Sequence, residues 1–231
     1  MSFKSNLKTD NANDFSRIPI FRYLSPPRKA GLCWVYGLKL MEMVKINYKP
    51  LFLEVVAKGD YAKFESAIKG TNKVYLILGS RGMGKSVIGF RLLENLSYLK
   101  RKKAMALNFP SDDLPEWIKK IDDLSEIENE SILIVDEGAL SFDAKSHFSF
   151  ENKQLKQLMV ISRHKNIDLI MISQNSANID LNVIRLADII VLKQCSLMQI
   201  ELERPTISKM FKEAEKHFEK VAYPKKFNFI I

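Results

Sequence analysis

An α/β fold, with a mostly parallel central sheet flanked by helices, is predicted for this chain by three observations. Several apolar runs are nearly continuous, among them VYLIL (74–78), SILIVDE (131–137) and DIIVLKQ (188–194), as strands covered by helices on both faces require. Between them lie segments whose apolar residues recur at helical spacing, so strand and helix alternate along the middle of the chain. The third observation is a glycine-rich stretch, GSRGMGKS (79–86), set between VYLIL and the helical pattern VIGFRLLENL.

Taken in order, residues 1–17 are polar and read as loose. Pro26-Pro27 then breaks the chain before a short aromatic and apolar segment, 32–36, and LKLMEMVKI (38–46) mixes periods two and three, leaving strand and helix both open. PLFLEVVAKG (50–59) reads as a strand, and DYAKFESAIKG (60–70) as a capped short helix closed by Gly70. RKKAMALNF (101–109) begins with a basic cluster and becomes a strand; SDDLPEWIKKIDDLSEIENE (111–130) is acidic with apolar residues at helical spacing, which predicts one or two surface helices. Residues 138–150 lack periodicity and read as a loop, and 151–165 as a helix with Leu155, Leu158, Met159 and Ser162 on one face. NIDLIMISQN (166–175) contains a strand ending in Gln174, followed by a short helix over 178–187 and the strand of 188–194. PTISKMFKEAEKHFEKV (205–221) is a helix with a favourable Pro-Thr start. The tail YPKKFNFII either packs back on the core or is offered to a neighbouring subunit.

Composition narrows the partners. The chain has 231 residues and a formal charge of +9, which suggests an anionic partner. Residues 1–69 carry twelve Lys or Arg against six Asp or Glu, 70–205 carry eighteen against eighteen, and 206–231 six against three. A neutral core with basic flanks suits nucleic acid or an anionic membrane, and equally a solubilising surface. Three units follow: a basic N-terminal extension (1–69), a core (70–205), and a C-terminal helix with a basic tail (206–231). Cys33 and Cys195 are too few and too far apart for a disulfide scaffold or thiolate metal site, and His147, His164 and His217 have no ligand spacing. No signal-peptide core and no membrane-length apolar run is visible, so any membrane contact is expected to be peripheral. Trp34 and Trp117 read as packing residues.

The chemistry starts at 79–86, which fits the phosphate-binding pattern G-x-x-x-x-G-K-S between strand and helix. Glycines permit a tight loop with inward N–H groups, and the following helix N-terminus favours an anion. The candidate nucleotide-binding residues are Gly79, Ser80, Arg81, Gly82, Met83, Gly84, Lys85, Ser86 and Val87. Lys85 reaches the β and γ phosphates of ATP, and the Ser86 hydroxyl holds Mg²⁺. Arg81 faces phosphate, solvent or a neighbouring subunit.

Asp136 and Glu137 close the run ILIVDE. Hydrolysis of a phosphoanhydride needs a cation and a placed water, which assigns Asp136 to Mg²⁺ and Glu137 to the attacking water. The adjacent glutamate favours hydrolysis over transfer to a small acceptor, and the acidic 110–130 segment lacks the arginine-rich lid of a kinase. Gln174, at the end of LIMISQ, is placed to sense the γ-phosphate or the water, with Ser173 as the second candidate. Arg163 in SRHK and Arg185 in NVIRLAD are candidates for neutralising γ-phosphate charge, more readily across a subunit boundary than within one chain. Any DNA contact is expected at phosphates, since no helix-turn-helix or zinc-finger signature is present.

GSRGMGKS, ILIVDE and the segment RHKNIDLIMISQNSANIDLNVIRLADIIVLK together resemble the HerA and FtsK superfamily of P-loop ATPases. Within it the likeness is to the compact genome-packaging ATPases of internal-membrane double-stranded DNA viruses, and more distantly to the assembly ATPases of filamentous phages. It spans roughly Lys73 to Lys193. The resemblance implies a RecA-like P-loop NTPase core, a homo-oligomeric ring with a hexamer favoured, and ATP hydrolysis that moves double-stranded DNA. It also implies partners at a capsid vertex or among membrane-associated viral proteins, and a location in the host cytoplasm or on the virion. Lys85, Ser86, Asp136, Glu137 and Gln174 match the family's phosphate, Mg²⁺, acidic and sensor residues, and Arg163 its arginine before the sensor strand. The chain is too short for the full HerA or FtsK architecture, and residues 1–69 match no family motif. Two other readings stand beside a DNA motor: an ATPase driving virion or secretion-complex assembly on protein or single-stranded nucleoprotein, and a nucleotide-dependent switch with low turnover.

Overall fold

A computed structural model describes residues 20–24, 52–55, 61–107, 109, 114–136, 157–174, 179, 181–223 and 227–231. Strands β1 (Ile20–Leu24) and β2 (Phe52–Val55) and helix α1 (Tyr61–Lys69) come from the basic N-terminal region. The middle of the chain follows as β3 (Val74–Leu78), α2 (Lys85–Lys100), β4 (Lys103–Leu107), β5 (Ile118–Ile121) and β6 (Ser131–Asp136). Next come helical residues 157–164, labelled α3, then β7 (Asp168–Ser173), α4 (Leu181–Leu186) and β8 (Ile189–Leu192). Helices α5 (Leu197–Leu202) and α6 (Pro205–Phe218) and strand β9 (Phe227–Ile230) end the chain.

The nine strands among the described residues form one sheet in the order β2-β1-β9-β8-β3-β7-β6-β4-β5. Strands β8, β3, β7, β6, β4 and β5 are parallel to their neighbours, while β9, β1 and β2 add antiparallel pairs at one side. The strand pattern explains the two-layer covering. Alternate residues face opposite sides of a sheet, so Tyr75 and Ile77 of β3 pack with Ile88, Leu92, Leu93 and Leu96 of α2 and Phe64 of α1. Val74, Leu76 and Leu78 face the other side, under Leu158 and Met159 of α3, Val183 and Ile184 of α4, and Ile207, Phe211 and Phe218 of α6. Every residue of β3 and of β7 is buried, the expected price-free signature of a parallel sheet covered on both faces. This is the α/β architecture the sequence predicts, a mostly parallel central sheet flanked by helices.

Three expectations change. The 111–130 segment does not form surface helices where it is described: Ile118–Ile121 is edge strand β5, and Leu124–Glu126 is a single 3-10 turn. Ile118 and Ile121 are buried and Lys119 and Lys120 exposed, an i, i+3 spacing that imitates a helix in sequence. The strand wins because β4 offers it a parallel ladder, and exposed lysines suit a sheet edge. A capping box of Asp123 and Glu126 then limits the next turn. Second, the tail resolves in favour of packing back, as β9 pairs with β8 on one side and β1 on the other. Third, α5 was not anticipated. The readings of 32–46, of the 138–150 loop, and of Trp34 and His147 lie outside the described residues.

The N-terminal edge of the parallel strands is pinned by buried charge. The Asp168 carboxylate, fully buried at the start of β7, accepts from Lys100 Nζ at 2.6 Å, Lys102 Nζ at 3.0 Å and the Lys73 backbone N–H at 3.0 Å. Beside it, Asp188 accepts from Lys73 Nζ at 2.7 Å and the Val74 N–H at 2.9 Å. The two carboxylates thus tie the starts of β7 and β8 to the start of β3. Burial pulls the Lys100 ammonium below the usual lysine range, against the opposing pull of Asp168.

Removing the shared carboxylate with Asp168→Ala strands two buried ammonium groups. Urea unfolding should register a loss of about 3–5 kcal/mol, the size measured when one partner of a buried pair is deleted; a loss under about 1 kcal/mol would mean the lysines simply turn to solvent.

Candidate nucleotide-binding site

Parallel strands place their C-terminal ends at one edge, where open α/β sheets bind ligands. Strand β3 lies between β7 and β8, and β7 separates it from β6. Leu78 is level with Ser173, and Asp136 with Ile172. The loop after β3, the Asp136 carboxylate and Gln174 therefore emerge side by side at this edge.

The loop has the backbone that a phosphate cradle needs. Gly79, Gly82 and Gly84 hold φ of 147°, 76° and 83°, values that side-chain-bearing residues seldom adopt. A Cβ on Gly79 would stand 2.7 Å from Lys193 Cβ and 2.9 Å from the Lys193 carbonyl oxygen, whereas one on Gly82 would meet nothing within 4 Å. Gly84 caps α2 without a side-chain bond, so the N–H groups of the first turn are offered to an anion. Lys85 is buried, and its ammonium donates to the Ser80 carbonyl at 2.9 Å, inside the loop. Arg81, Ser86 and Val87 are exposed and Met83 half-buried around the same turn.

Helix α2 brings this loop to the acidic strand. A Cβ on Gly89 would lie 2.7 Å from Ile172 Cδ1 and 3.2 Å from Ile134 Cδ1, so the bare glycine lets the helix sit directly on β7 and β6. Ser86 is one turn before Gly89, and Asp136 is two residues beyond Ile134, so the two converge at the strand ends. The half-buried Asp136 carboxylate and the Ser86 hydroxyl are oxygen donors of the kind Mg²⁺ takes. Among the described residues no group of three or more His, Cys, Asp or Glu forms a metal-holding cluster. Glu137 lies outside the described residues.

The two candidate arginines sit elsewhere. Arg163 is exposed in the last turn of α3, just before β7 begins, and Arg185 is exposed in the last turn of α4, just before β8. Both are at the N-terminal edge of the sheet, and β7 alone carries the chain roughly 20 Å from there to Gln174. The fold does not bring either one to its own chain's phosphate loop.

Three contributors were not read from sequence. Lys193 backs Gly79 and extends the ladder by donating its N–H to the Leu78 carbonyl at 2.8 Å. Its own ammonium is buried and donates to Asn228 of β9 at 3.2 Å, and that burial pulls its pKa down to about 8. Gln194 accepts from the Ser80 N–H at 3.2 Å. Gln199 of α5 accepts from the Ser80 hydroxyl at 2.7 Å and donates to the Gln174 carbonyl at 2.6 Å. A run ending LKQCSLMQ carries no signal for these contacts, because they depend on β8 lying next to β3.

Two outcomes test this geometry. Gly82→Ala should lose about 1–2 kcal/mol for its left-handed backbone, while Gly79→Ala adds a collision with Lys193 and should melt at least several degrees lower than Gly82→Ala in a thermal scan. For Lys193, a folded pKa near 8 against an ordinary lysine value of 10.5 means that the unfolded chain binds the extra proton between those limits. Stability therefore rises as pH climbs through that window. Relative to Lys193→Met, the wild-type chain should gain stability from pH 8 to 10 in urea titrations; parallel curves would show that the ammonium is not desolvated.

A family model described as "Zonular occludens toxin (Zot)" matches residues 72–223, well over half of the chain. No curated protein is a significant sequence match. Among solved structures, the DNA-packaging ATPase B204 of Sulfolobus Turreted Icosahedral Virus is similar at 15% identity and TM-score 0.46, over 66% of this chain and 89% of that one. The genome packaging NTPase B204 of Sulfolobus turreted icosahedral virus 2, in complex with AMPPCP, is similar at 18% identity and TM-score 0.46, over 68% and 90%. The N-terminal domain of zonular occludens toxin from Neisseria meningitidis is similar at 20% identity and TM-score 0.36, over 53% and 77%. With the match running from the residue before Lys73 through the phosphate loop, the acidic strand and α6, the chain belongs to the zonular occludens toxin (Zot) family.

Proposed function

We propose that this chain is an Mg²⁺-dependent ATPase that translocates double-stranded DNA, acting as the motor that packages a viral genome into a preformed capsid. The observation that carries the ATPase reading is the convergence at one sheet edge of a three-glycine loop with positive φ, a buried lysine, Asp136 and Gln174. The N–H groups of the loop and of the first turn of α2 hold the β and γ phosphates, and Lys85 neutralises charge that grows on them in the transition state. Ser86 and Asp136 would hold Mg²⁺, which would supply further charge neutralisation. Glu137, the next residue after Asp136, orients and deprotonates the attacking water, and Gln174 reads whether a γ-phosphate is present.

The position of Arg163 and Arg185 supports a ring. Since neither reaches its own site, a head-to-tail neighbour supplies the cation, and a heterologous interface that closes gives a ring, with six subunits favoured. The basic flanks on a neutral core, and the HerA and FtsK likeness of the motifs, support a duplex as cargo. One observation favours a second reading, an assembly ATPase working on protein. Leu197, Met198 and Leu202 of α5 are 73%, 76% and 79% exposed next to the phosphate loop, an apolar surface better suited to protein than to phosphate. Among the described residues no helix is long and apolar enough to cross a membrane.

Hydrolysis assays with and without duplex DNA test both readings. Wild-type chain should hydrolyse Mg-ATP faster with duplex present and displace bound roadblocks processively. Lys85→Ala should lose Mg-ATP binding. Glu137→Gln should keep binding while turnover falls roughly 100-fold or more, the range for losing a general base. Turnover indifferent to any nucleic acid would move the cargo to protein, and unchanged turnover in Glu137→Gln would remove its assigned role.

A further inference from the structure

The phosphate loop and the end of β7 are separate pieces of chain, and one side chain bridges them. The Gln199 carboxamide accepts from the Ser80 hydroxyl at 2.7 Å through Oε1 and donates to the Gln174 carbonyl at 2.6 Å through Nε2. Both its poles are used, and the partners match in type: a hydroxyl that donates and a carbonyl that accepts. The Ser80 hydroxyl in turn accepts from the Ser196 N–H at 3.2 Å, and the Ser196 hydroxyl caps α5 by accepting from the Gln199 N–H at 3.2 Å.

The helix that carries Gln199 is held to the core at few points. Of α5 only Ile200 is buried, while Leu197, Met198 and Leu202 face outward. Beyond Ile200 its fastenings are polar ones, among them the bonds to Ser80 and Gln174 and an ion pair of Glu201 with Lys212 of α6 at 2.9 Å. The ladder between β3 and β7 ends at Leu78 and Ser173, so beyond that pair the carboxamide takes over the spacing of the two chains.

We propose that Gln199 is a positioning residue that couples the phosphate loop to the Gln174 turn, so that a shift of one is passed to the other during turnover. The role rests on the ATPase reading above. It needs an amide: a carboxylate keeps the bond to Ser80 but sets two acceptors against each other at Gln174, and a thioether of similar length accepts only weakly from Ser80 and has nothing to donate to Gln174.

The test compares Gln199→Met, Gln199→Glu, Ser80→Ala and the Gln199→Met/Ser80→Ala double variant, each checked for folding by thermal melting. Equilibrium binding of Mg-ATP and kcat are the readouts. Affinity should stay within about 3-fold of wild type while kcat falls about 10-fold in Gln199→Met, the size of one or two neutral hydrogen bonds, and further in Gln199→Glu. Adding Ser80→Ala to Gln199→Met should lower kcat by a smaller factor than Ser80→Ala does alone, because the part of its effect that runs through Gln199 is already gone. Unchanged kcat in Gln199→Glu, multiplying effects in the double variant, or a loss of kcat matched by an equal loss of affinity would each overturn the coupling role while leaving the ATPase intact. A wild-type chain that does not hydrolyse Mg-ATP overturns the ATPase reading itself and this role with it.

Discussion

Because Gly89 carries no side chain, α2 settles against Ile134 of β6 and Ile172 of β7, and the arrangement of the site follows from that contact. A Cβ there would press on the Cδ1 methyls of both isoleucines, one turn along α2 from Ser86. The seat is reinforced from both sides: Leu92, Leu93 and Leu96 are buried on the sheet, and Phe64 of α1 joins the same apolar cluster. At the other end the helix stops at Arg101, in a left-handed turn with φ 54°, so Lys100 and Lys102 drop onto Asp168. One helix thus links the buried charge at the start of the strands to the phosphate loop at their finish.

The two edges of the sheet are built from different forces. At the N-terminal edge, the fully buried Asp168 and the exposed Asp188 tie three strands together through lysine ammonium and backbone N–H groups, and the charge-assisted bonds at Asp168 are the desolvated ones. The C-terminal edge, apart from the Lys85 ammonium on the Ser80 carbonyl and the Gln194 amide on Glu215, is joined by neutral hydrogen bonds among Ser80, Gln194, Ser196, Gln199 and the Gln174 carbonyl. Neutral bonds contribute less each and exchange more readily, which suits the end where a loop must respond to a ligand. Elements that move are drawn from the less stable part of a fold. Lys193 stands at the junction: its backbone continues the ladder beside Leu78, and its desolvated ammonium reaches β9. By this route the C-terminal tail, unremarkable in sequence, comes to support the glycine-rich loop after β3.

Legibility followed the range of the interactions. The strands β3, β6, β7 and β8 were evident because a strand buried on both faces must be apolar throughout, a property of its own residues. The helices α1, α2, α4 and α6 were evident from their period and from Gly70 and Pro205 at their ends. Strand β5 was misread because Ile118 and Ile121 satisfy a helical spacing and only the ladder with β4 decides between the two. Helix α5 escaped notice because it turns only Ile200 to the core while Leu197, Met198 and Leu202 point outward, too little to mark a periodic apolar face.

The sequence by itself determined the chemistry that can be done: a glycine loop able to hold positive φ, a lysine to meet phosphate, and carboxylates at a strand end, all contained in short contiguous runs. Tertiary structure decided what those groups meet. Placing β7 between β3 and β6 set Gln174 between the loop and Asp136, and seating β8 on the other side brought Lys193, Gln194 and Gln199 to the loop. It also put Arg163 and Arg185 at the far edge. The physical reason is that strand order and the side on which each crossover helix packs come from burying apolar area across the whole sheet, a sum that no single stretch of chain contains.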